Sequence, residues 1–286
     1  MRCRGALVPG DSNVFELEPP KDDGLHIEKV GSWSADKHHF LRRYIDAFTT
    51  SMKSKSWSGL HYIDLFAGAG IERLRGNGLD WGSPLIAAQA PHRFSRLHLC
   101  ELDKGKFQAL STRIGGFEQP SEPQLLNDDA NQAIEPIMKE IPERSLTLAF
   151  LDPYGLHLHF STLRKLAHRR TDLVIFFPDH LDALRNWENV YQGEPDSNLD
   201  RVLGTDVWYD RMMAEPRDNW ASSLTHVYTE QIRTLGYSHF EYERIARPQG
   251  QPLYRLIFCS ADKAGARLWR RVASKKPGGQ YTFGFE

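Results

Sequence analysis

The sequence predicts an α/β fold built on a mostly parallel, doubly wound sheet that ends in an antiparallel hairpin. Short apolar segments alternate with segments of helical periodicity over residues 34–177, which is typical of β-α repeats. Two apolar segments, residues 60–66 and 146–151, end in polar, glycine-containing turns. Two later apolar segments flank a Pro/Gly turn at 247–251, which predicts the hairpin. The carboxyl ends of parallel strands meet at one edge, so we expect the two polar turns to share a crevice.

Length and charge limit the domain organisation and the partners. A chain of 286 residues can bury a substantial core, and we expect one large domain. The formal net charge of −1 gives no overall attraction to nucleic acid, so any basic surface must be local. We expect an irregular leader over residues 1–28, a domain over 29–274 with a helical insertion at about 182–220, and a tail over 275–286.

The cysteines and the hydropathy pattern favour a soluble cytoplasmic protein. Cys3, Cys100 and Cys259 lie far apart, and neither they nor the 12 histidines show the spacing of metal ligands. Buried free thiols in a reducing compartment are the expectation. No apolar run approaches the roughly 18–20 residues of a membrane span. We therefore expect neither a bound metal nor a membrane segment.

The first elements follow from apolar periodicity and from capping residues. Apolar side chains recur at helical spacing over residues 40–52, with Ser32 or Ser34 available as an N-cap. A strand over 60–66 follows, and Ser83 with a proline after it is typical of a helix start. The same patterns predict strands at 96–102, 124–127, 146–151 and 173–177, and helices at 104–113, 131–141 and 161–170.

The last third of the chain combines a looser segment with a hairpin. Aromatic residues are scattered among charges up to residue 220, which favours the helical insertion. A helix over 221–235 leads to strands at 238–246 and 253–260, and a last helix covers 262–273. A parallel sheet closed by an antiparallel hairpin is an unusual combination.

The segment over residues 71–82 constrains the cofactor. A dinucleotide-binding turn runs straight into its helix, so that the helix N-terminus faces the pyrophosphate. Here a glycine-rich, charged segment separates the turn after the first strand from the helix that begins at Ser83. This arrangement argues against NAD or FAD and favours a cofactor without a pyrophosphate.

Five short segments, found in order between residues 30 and 273, form a joint pattern. They are Val30-Gly31-Ser32-Trp33 with Lys37, Tyr62 to Gly70, Gly82-Ser83-Pro84-Leu85, Leu151-Asp152-Pro153-Tyr154-Gly155 and Tyr254 to Phe258. Together they resemble the class I S-adenosylmethionine-dependent methyltransferases, and most closely the three-Cys-motif partner family. The resemblance implies a Rossmann-like fold with a mostly parallel seven-stranded sheet, an antiparallel C-terminal hairpin and helices on both faces. It also implies S-adenosyl-L-methionine as cofactor and a protein with a three-cysteine motif as partner.

The cofactor-binding residues that the resemblance implies lie mostly at the ends of predicted strands. Those expected at the methionine part of the cofactor are Asp64, Gly68 and Gly70. Those expected at the ribose are Glu101 or Asp103, because a carboxylate after the second strand accepts hydrogen bonds from ribose hydroxyls in such folds. Those expected at the adenine are Asp128 or Asp129, and Lys37 and Phe66 complete the expected cofactor site.

The catalytic residues that the resemblance implies are Asp152, Pro153 and Tyr154. They occupy the position of the Asp/Asn-Pro-Pro-Tyr/Phe motif of amino-methyltransferases. A carboxylate that accepts an amine N–H aims the nitrogen lone pair, and Tyr154 can stack on a flipped base. One proline is missing and Gly155 follows the aromatic residue, a form that resembles tRNA guanine-N2 methyltransferases as much as adenine-N6 enzymes. The target base therefore stays open.

Two basic clusters are candidates for phosphate contact, and a solvated helix face is the alternative interpretation of both. One cluster follows the Asp-Pro-Tyr-Gly turn and contains Arg164, Lys165 and Arg169. The other lies on the last helix and contains Arg267, Arg270 and Arg271. The leading hypothesis is a methyltransferase acting on an exocyclic amine of a nucleic acid, with RNA favoured over DNA. The alternatives are a protein or small-molecule methyltransferase and a catalytically silent, partner-binding module.

Overall fold

The computed structural model describes residues 15–76, 78–179, 197–246 and 252–275. The strands are β1 (Glu28–Val30), β2 (Leu60–Asp64), β3 (Ile71–Leu74), β4 (Gly78–Trp81), β5 (Arg96–Cys100), β6 (Gln124–Leu126), β7 (Leu146–Leu151), β8 (Arg170–Phe177), β9 (His239–Ala246) and β10 (Pro252–Ser260). The helices are α1 (Ser34–Met52), α2 (Ser83–Ala88), α3 (Lys104–Ile114), α4 (Ala130–Glu140), α5 (Phe160–Leu166), α6 (Asn198–Leu203), α7 (Trp208–Met213), α8 (Trp220–Thr234) and α9 (Lys263–Ala273).

The main sheet has seven strands in the order β6-β5-β2-β7-β8-β10-β9. The five strands from β6 to β8 pair in parallel, whereas β10 runs antiparallel to both of its neighbours. The predicted seven-stranded, mostly parallel sheet with an antiparallel C-terminal hairpin is therefore confirmed. β5, β2 and β7 are adjacent, so the turns after these three strands lie side by side at one edge. The turn predicted at 247–251 lies outside the described residues.

Apolar cores cover both faces of this sheet. On one face α1, α2, α3 and α9 pack around fully buried side chains such as Tyr44 and Trp269. On the other face α4 to α8 pack around side chains such as Leu163 and Tyr228. Of the predicted insertion at about 182–220, the residues from 197 onward form α6 and α7, and residues 180–196 lie outside the described part. No helix among the described residues is long and apolar enough to cross a membrane.

A second, three-stranded sheet was not predicted. β3 and β4 form an antiparallel hairpin from the glycine-rich, charged segment over residues 71–82, where no strand was predicted, and β1 pairs in parallel with β3. Gly76 and Gly78 have φ values of 87° and 82°, so they supply the left-handed backbone that this tight connection needs. Alternating Glu72 and Arg73 obscured the strand, because neither face of β3 is uniformly apolar. This small sheet stands between the turn after β2 and the start of α2.

Within the leader expected over residues 1–28, residues 15–27 form no helix or strand, and Glu28 begins β1. Phe15, Leu17 and Ile27 of this segment pack against the core. Arg113 on α3 binds Asp23 through two nitrogens, at 2.7 and 2.8 Å, and so anchors this segment. The N-cap of α1 is Trp33 rather than Ser32 or Ser34, and it makes no side-chain capping bond.

Candidate active site

Asp64 ends β2 and is fully buried, so its carboxylate is surrounded by protein groups. It accepts hydrogen bonds from the Ser83 hydroxyl at 2.6 Å, the Phe66 N–H at 3.2 Å and the Tyr62 hydroxyl at 3.3 Å. Burial raises the pKa of Asp64 to about 7, against the opposing effect of these hydrogen bonds. The side chain thus links the end of β2 to the first residue of α2, and it holds the glycine turn rather than projecting into the cleft.

The two glycines of the turn have different surroundings. Both have positive φ values, 63° at Gly68 and 85° at Gly70. A Cβ atom at Gly68 would meet only Glu28 Oε2, at 3.8 Å, whereas a Cβ atom at Gly70 would lie 2.9 Å from Leu85 Cδ1. Gly68 therefore leaves open space at the cleft, and Gly70 makes room for α2. Of the pair, only Gly68 lines the cleft among the described residues.

Glu101 follows β5 and is bonded to the glycine turn. Its carboxylate accepts hydrogen bonds from the N–H groups of Gly68 and Asp103, each at 2.8 Å. Asp103 instead caps α3, where its side chain accepts a 2.8 Å bond from the Lys106 N–H. Of the two alternatives for the ribose carboxylate, the structure places Glu101 at the glycine turn. Leu102, between them, leaves 68% of its surface exposed, a feature that sequence patterns did not indicate.

The residues after β6 lie beside this loop. Asp129 caps α4 by accepting a 2.8 Å bond from the Asn131 N–H, and Asp128 is exposed and accepts a bond from the Asp129 N–H. Asn127 donates to the carbonyl oxygens of Glu101 and Leu102 at 2.8 and 2.9 Å. Asn127 thus joins the loops that follow β5 and β6, a role that the sequence did not indicate.

Asp152 follows β7 and forms an ion pair with Lys37, which lies 115 residues earlier on α1. The Lys37 side chain is about nine-tenths buried, and its ammonium lies 5.3 Å from the Phe176 ring centre and 5.5 Å from that of Tyr254. Burial lowers the pKa of Lys37, but the negative charges of Asp152 and Glu72 outweigh it, and the net direction is upward. The lysine expected in the cofactor site therefore lies against the Asp-Pro-Tyr turn.

Tyr154, two residues further on, is 63% exposed, while Pro153 is buried. The Lys106 ammonium lies 4.8 Å from the centre of the Tyr154 ring and binds Glu28 Oε1 at 2.9 Å. An exposed aromatic face at the mouth of a cleft can stack on a planar group.

The small sheet forms one wall of the cleft with a row of carboxylates. Its register aligns Glu28, Glu72 and Asp80 across the three strands. His38 lies between two of them, with Nδ1 at 3.1 Å from Asp80 Oδ2 and Nε2 at 3.7 Å from Glu72 Oε2. Within the described residues, Glu72 Oε2 is buried without a hydrogen-bond partner, and burial raises the Glu72 pKa. Sequence patterns missed this wall because the segment over residues 71–82 showed only glycines and charges, and no strand was predicted there.

These parts enclose a cleft of about 630 Å³. Its walls combine the glycine turn at Gly68, the Asp-Pro-Tyr turn, Lys37 from α1 and Glu72 from the small sheet. Among the residues that the structure describes, no group of three or more His, Cys, Asp or Glu side chains could hold a metal ion.

The two basic clusters lie on opposite faces of the main sheet and do not form one surface. α5 leads from the Asp-Pro-Tyr turn back toward the start of β8, so Lys165 on α5 and Arg169 in the turn after it lie away from the cleft. Lys165 lies 3.7 Å from Glu135, and Arg169 donates to the Ile141 carbonyl at 3.1 Å. Arg164 is exposed next to the Phe160 ring.

On the other face, the end of α9 packs near the first half of α1. Arg43 donates to the Val272 carbonyl at 3.2 Å, and His39 Nε2 lies 3.0 Å from the Lys275 carbonyl. Arg267, Arg270 and Arg271 are exposed on α9, and Arg270 binds Glu241 at 2.8 Å. The last turn of α9 is therefore near the edge of the sheet that holds the cleft.

Comparison with solved structures agrees with the topology. The chain is similar to protein LPL1258 of Legionella pneumophila, with a TM-score of 0.51 and 12% identity over 87% of this chain and 95% of that one. What the two chains share is the fold, an α/β arrangement around a mostly parallel sheet. Weaker similarities are to Trm1 of Pyrococcus horikoshii, solved with S-adenosyl-L-methionine (TM-score 0.40, 12% identity, 83% of this chain and 58% of that one), and to the O-methyltransferase TomG of Streptomyces achromogenes (0.45, 9%, 80% and 80%).

No protein-family model matches the sequence, and no curated protein matches it significantly. The structural similarities, at these identities, concern the fold. Membership of the three-Cys-motif partner family therefore stays a prediction from the sequence.

Proposed function

We propose that this chain is an S-adenosylmethionine-dependent methyltransferase that modifies an exocyclic amine of a nucleic-acid base. The observation that carries the proposal is the position of Asp152, which follows β7 and opens into the same cleft as the glycine turn of the adjacent strand β2. A hydrogen-bond acceptor for an amine and an open approach to the backbone are thus neighbours. This is the pairing that amine methylation needs.

The residues around the turn fit the proposed cofactor. Gly68 leaves space for close approach of the amino-acid part, and the Glu101 carboxylate lies at the end of β5, where ribose hydroxyls are held in such folds. The exposed Leu102 side chain offers an apolar surface for the adenine, with Asp128 on the neighbouring loop. When bound, S-adenosylmethionine would supply a methyl group on a positively charged sulfur, so the protein's contribution is mainly positioning.

The chain's own side chains would orient the amine. Asp152 would accept an N–H of the target amine and so aim its lone pair, and the ion pair with Lys37 holds the carboxylate in place. Tyr154, exposed at the mouth, would stack on the base. RNA is the favoured substrate because single-stranded RNA presents unstacked bases to aromatic side chains.

Methyl transfer to cellular macromolecules tests this function. Purified protein is incubated with tritiated S-adenosylmethionine and, in parallel, with total RNA, DNA or protein, and the labelled product is identified by mass spectrometry. We expect label in nucleic acid, and we expect Asp152→Ala to lower turnover by ~10²-fold or more at near-normal cofactor affinity. Label confined to protein, or absent from all three pools, would contradict the proposal.

A further inference from the structure

Lys37 and Asp152 present a hydrogen-bond donor and an acceptor side by side in the cleft, and both line it. The ammonium is held on three sides by Asp152 Oδ2 and the rings of Phe176 and Tyr254. An ammonium has three N–H groups, and a carboxylate has two oxygens. Within the described residues, each of the two groups makes a single hydrogen bond, the one that joins them. Donor and acceptor capacity is therefore left over on both.

The bases differ in what lies next to their exocyclic amine. Adenine presents the N6 amine beside N1, and cytosine presents the N4 amine beside N3, so that in each a donor neighbours an acceptor on the Watson–Crick edge. Guanine presents its N2 amine beside N1–H on that edge, so two donors are neighbours. An acceptor and a donor fixed next to each other match the first pattern. With guanine, the N1–H donor would instead face the Lys37 ammonium. Two buried donors would then oppose each other without an acceptor, which is unfavourable.

We propose that Lys37 and Asp152 together recognise the Watson–Crick edge of an adenine or a cytosine. Asp152 accepts the amine N–H, and Lys37 donates to the neighbouring ring nitrogen, N1 of adenine or N3 of cytosine. This inference rests on the proposed function and narrows the target base, which the sequence motif left open, to adenine or cytosine. Lys37 is thereby a specificity-determining residue as well as the partner of Asp152.

The first test identifies the labelled nucleoside. After tritium transfer to total RNA and to DNA, the nucleic acids are digested and the nucleosides are separated and identified by mass spectrometry. We expect N6-methyladenosine or N4-methylcytidine, or the deoxynucleoside equivalents. N2-methylguanosine would overturn this inference while leaving the proposed function intact, and the absence of any labelled nucleoside would overturn both.

The second test separates recognition by Lys37 from mere support of Asp152. A synthetic oligonucleotide spanning the labelled position is made with adenosine or with 1-deazaadenosine there, or with cytidine or 3-deazacytidine. The deaza base keeps its amine but lacks the ring acceptor. The wild-type enzyme should prefer the normal base in kcat/KM by roughly 10- to 100-fold, the size of discrimination by a good bidentate contact.

Lys37→Met should lose that preference and use both oligonucleotides equally slowly. If Lys37 only supported the structure, Lys37→Met would slow both reactions by the same factor and keep the preference, and this result would overturn the inference. Lys106→Met is the matched control. Lys106 also forms an ion pair with an acid, Glu28, near the Asp-Pro-Tyr turn. Removing the Lys106 charge should leave the ratio of the two rates as in the wild type.

Discussion

The Ser83 hydroxyl donates a 2.6 Å hydrogen bond to Asp64 Oδ2 and so joins the first residue of α2 to the last residue of β2. Between these two residues the chain forms β3 and β4, the hairpin of the small sheet. The Gly82 N–H, which donates to the Gly70 carbonyl at 2.8 Å, closes the same excursion. The buried Asp64 carboxylate therefore fixes the two ends of the segment that forms this wall of the cleft.

The raised pKa of Asp64 predicts a pH dependence of stability. Folding raises the pKa of Asp64 from 3.8 to about 7, so the folded state binds this proton more tightly than the unfolded state does. The resulting contribution to the free energy of unfolding is fully present below about pH 4 and is lost as pH rises through 7. Asp64→Asn should have no such loss, since the Ser83 and Tyr62 hydroxyls can donate or accept. Relative to the wild type, its free energy of unfolding should rise between pH 4 and 7, by up to about 4 kcal/mol.

Denaturant unfolding at a series of pH values measures this difference. Asp218→Asn, at an exposed position, is the control, and its curve should run parallel to that of the wild type. If the difference between Asp64→Asn and the wild type were constant from pH 4 to 8, the buried carboxyl would not be titrating as inferred.

The paired glycines of the turn offer a second prediction. Both alanine variants incur the same cost of a positive φ, about 1–2 kcal/mol. A difference between them therefore reports the contacts that each new Cβ atom makes. Gly70→Ala should unfold at lower denaturant than Gly68→Ala, because its Cβ would press on Leu85. Gly68→Ala should instead weaken binding of S-adenosylhomocysteine by about tenfold or more, equivalent to 1.4 kcal/mol, in calorimetry. The opposite assignment of the two defects would show that Gly70, not Gly68, faces the cofactor.

A third comparison concerns the two acids after β5. Glu101→Gln should weaken binding of S-adenosylhomocysteine by roughly 10- to 100-fold, because the neutral amide removes the negative charge proposed to hold the ribose and has one acceptor oxygen for two backbone N–H groups. Asp103→Ala should leave the affinity near that of the wild type and lower stability by about 1 kcal/mol through loss of the α3 cap. Calorimetry and thermal unfolding of both variants decide the matter. Stronger loss of affinity in Asp103→Ala would reassign the ribose contact.

The fourth prediction concerns Tyr154, whose exposed ring can be changed with little effect on stability. Tyr154→Phe should keep most of the methyl-transfer activity, whereas Tyr154→Ala should lose much of it, since base–aromatic stacking contributes about 1–3 kcal/mol. Both variants should unfold like the wild type, because the ring is 63% exposed. The measurement is kcat/KM on the labelled nucleic acid. Equal damage by the two substitutions would mean that the hydroxyl matters and that stacking is not the role.

The sequence was most informative about residues at the ends of strands. Asp64, Asp152 and the pair Glu101 and Asp103 could be placed at one edge from apolar runs alone, because the turns after adjacent parallel strands must meet there. Lys37 and Glu72 could not, since their positions depend on how α1 and the small sheet pack against that edge. The choice between Glu101 and Asp103 also required the structure, because both stand within two residues of the same strand end and only hydrogen-bond partners distinguish them.

The last prediction concerns where phosphates bind. Arg267→Glu with Arg271→Glu should weaken RNA binding and flatten the dependence of log K on log salt by roughly 0.7–0.9 per lost contact, because α9 ends near the edge that holds the cleft. Arg164→Glu with Lys165→Glu is the matched control, since it changes the net charge by the same amount on the opposite face of the sheet. Fluorescence anisotropy of a labelled RNA across a potassium chloride series measures both slopes. We expect the control to keep the wild-type slope. If the α5 variant flattened it and the α9 variant did not, the RNA would lie on the other face, and α9 would be a solvated surface helix.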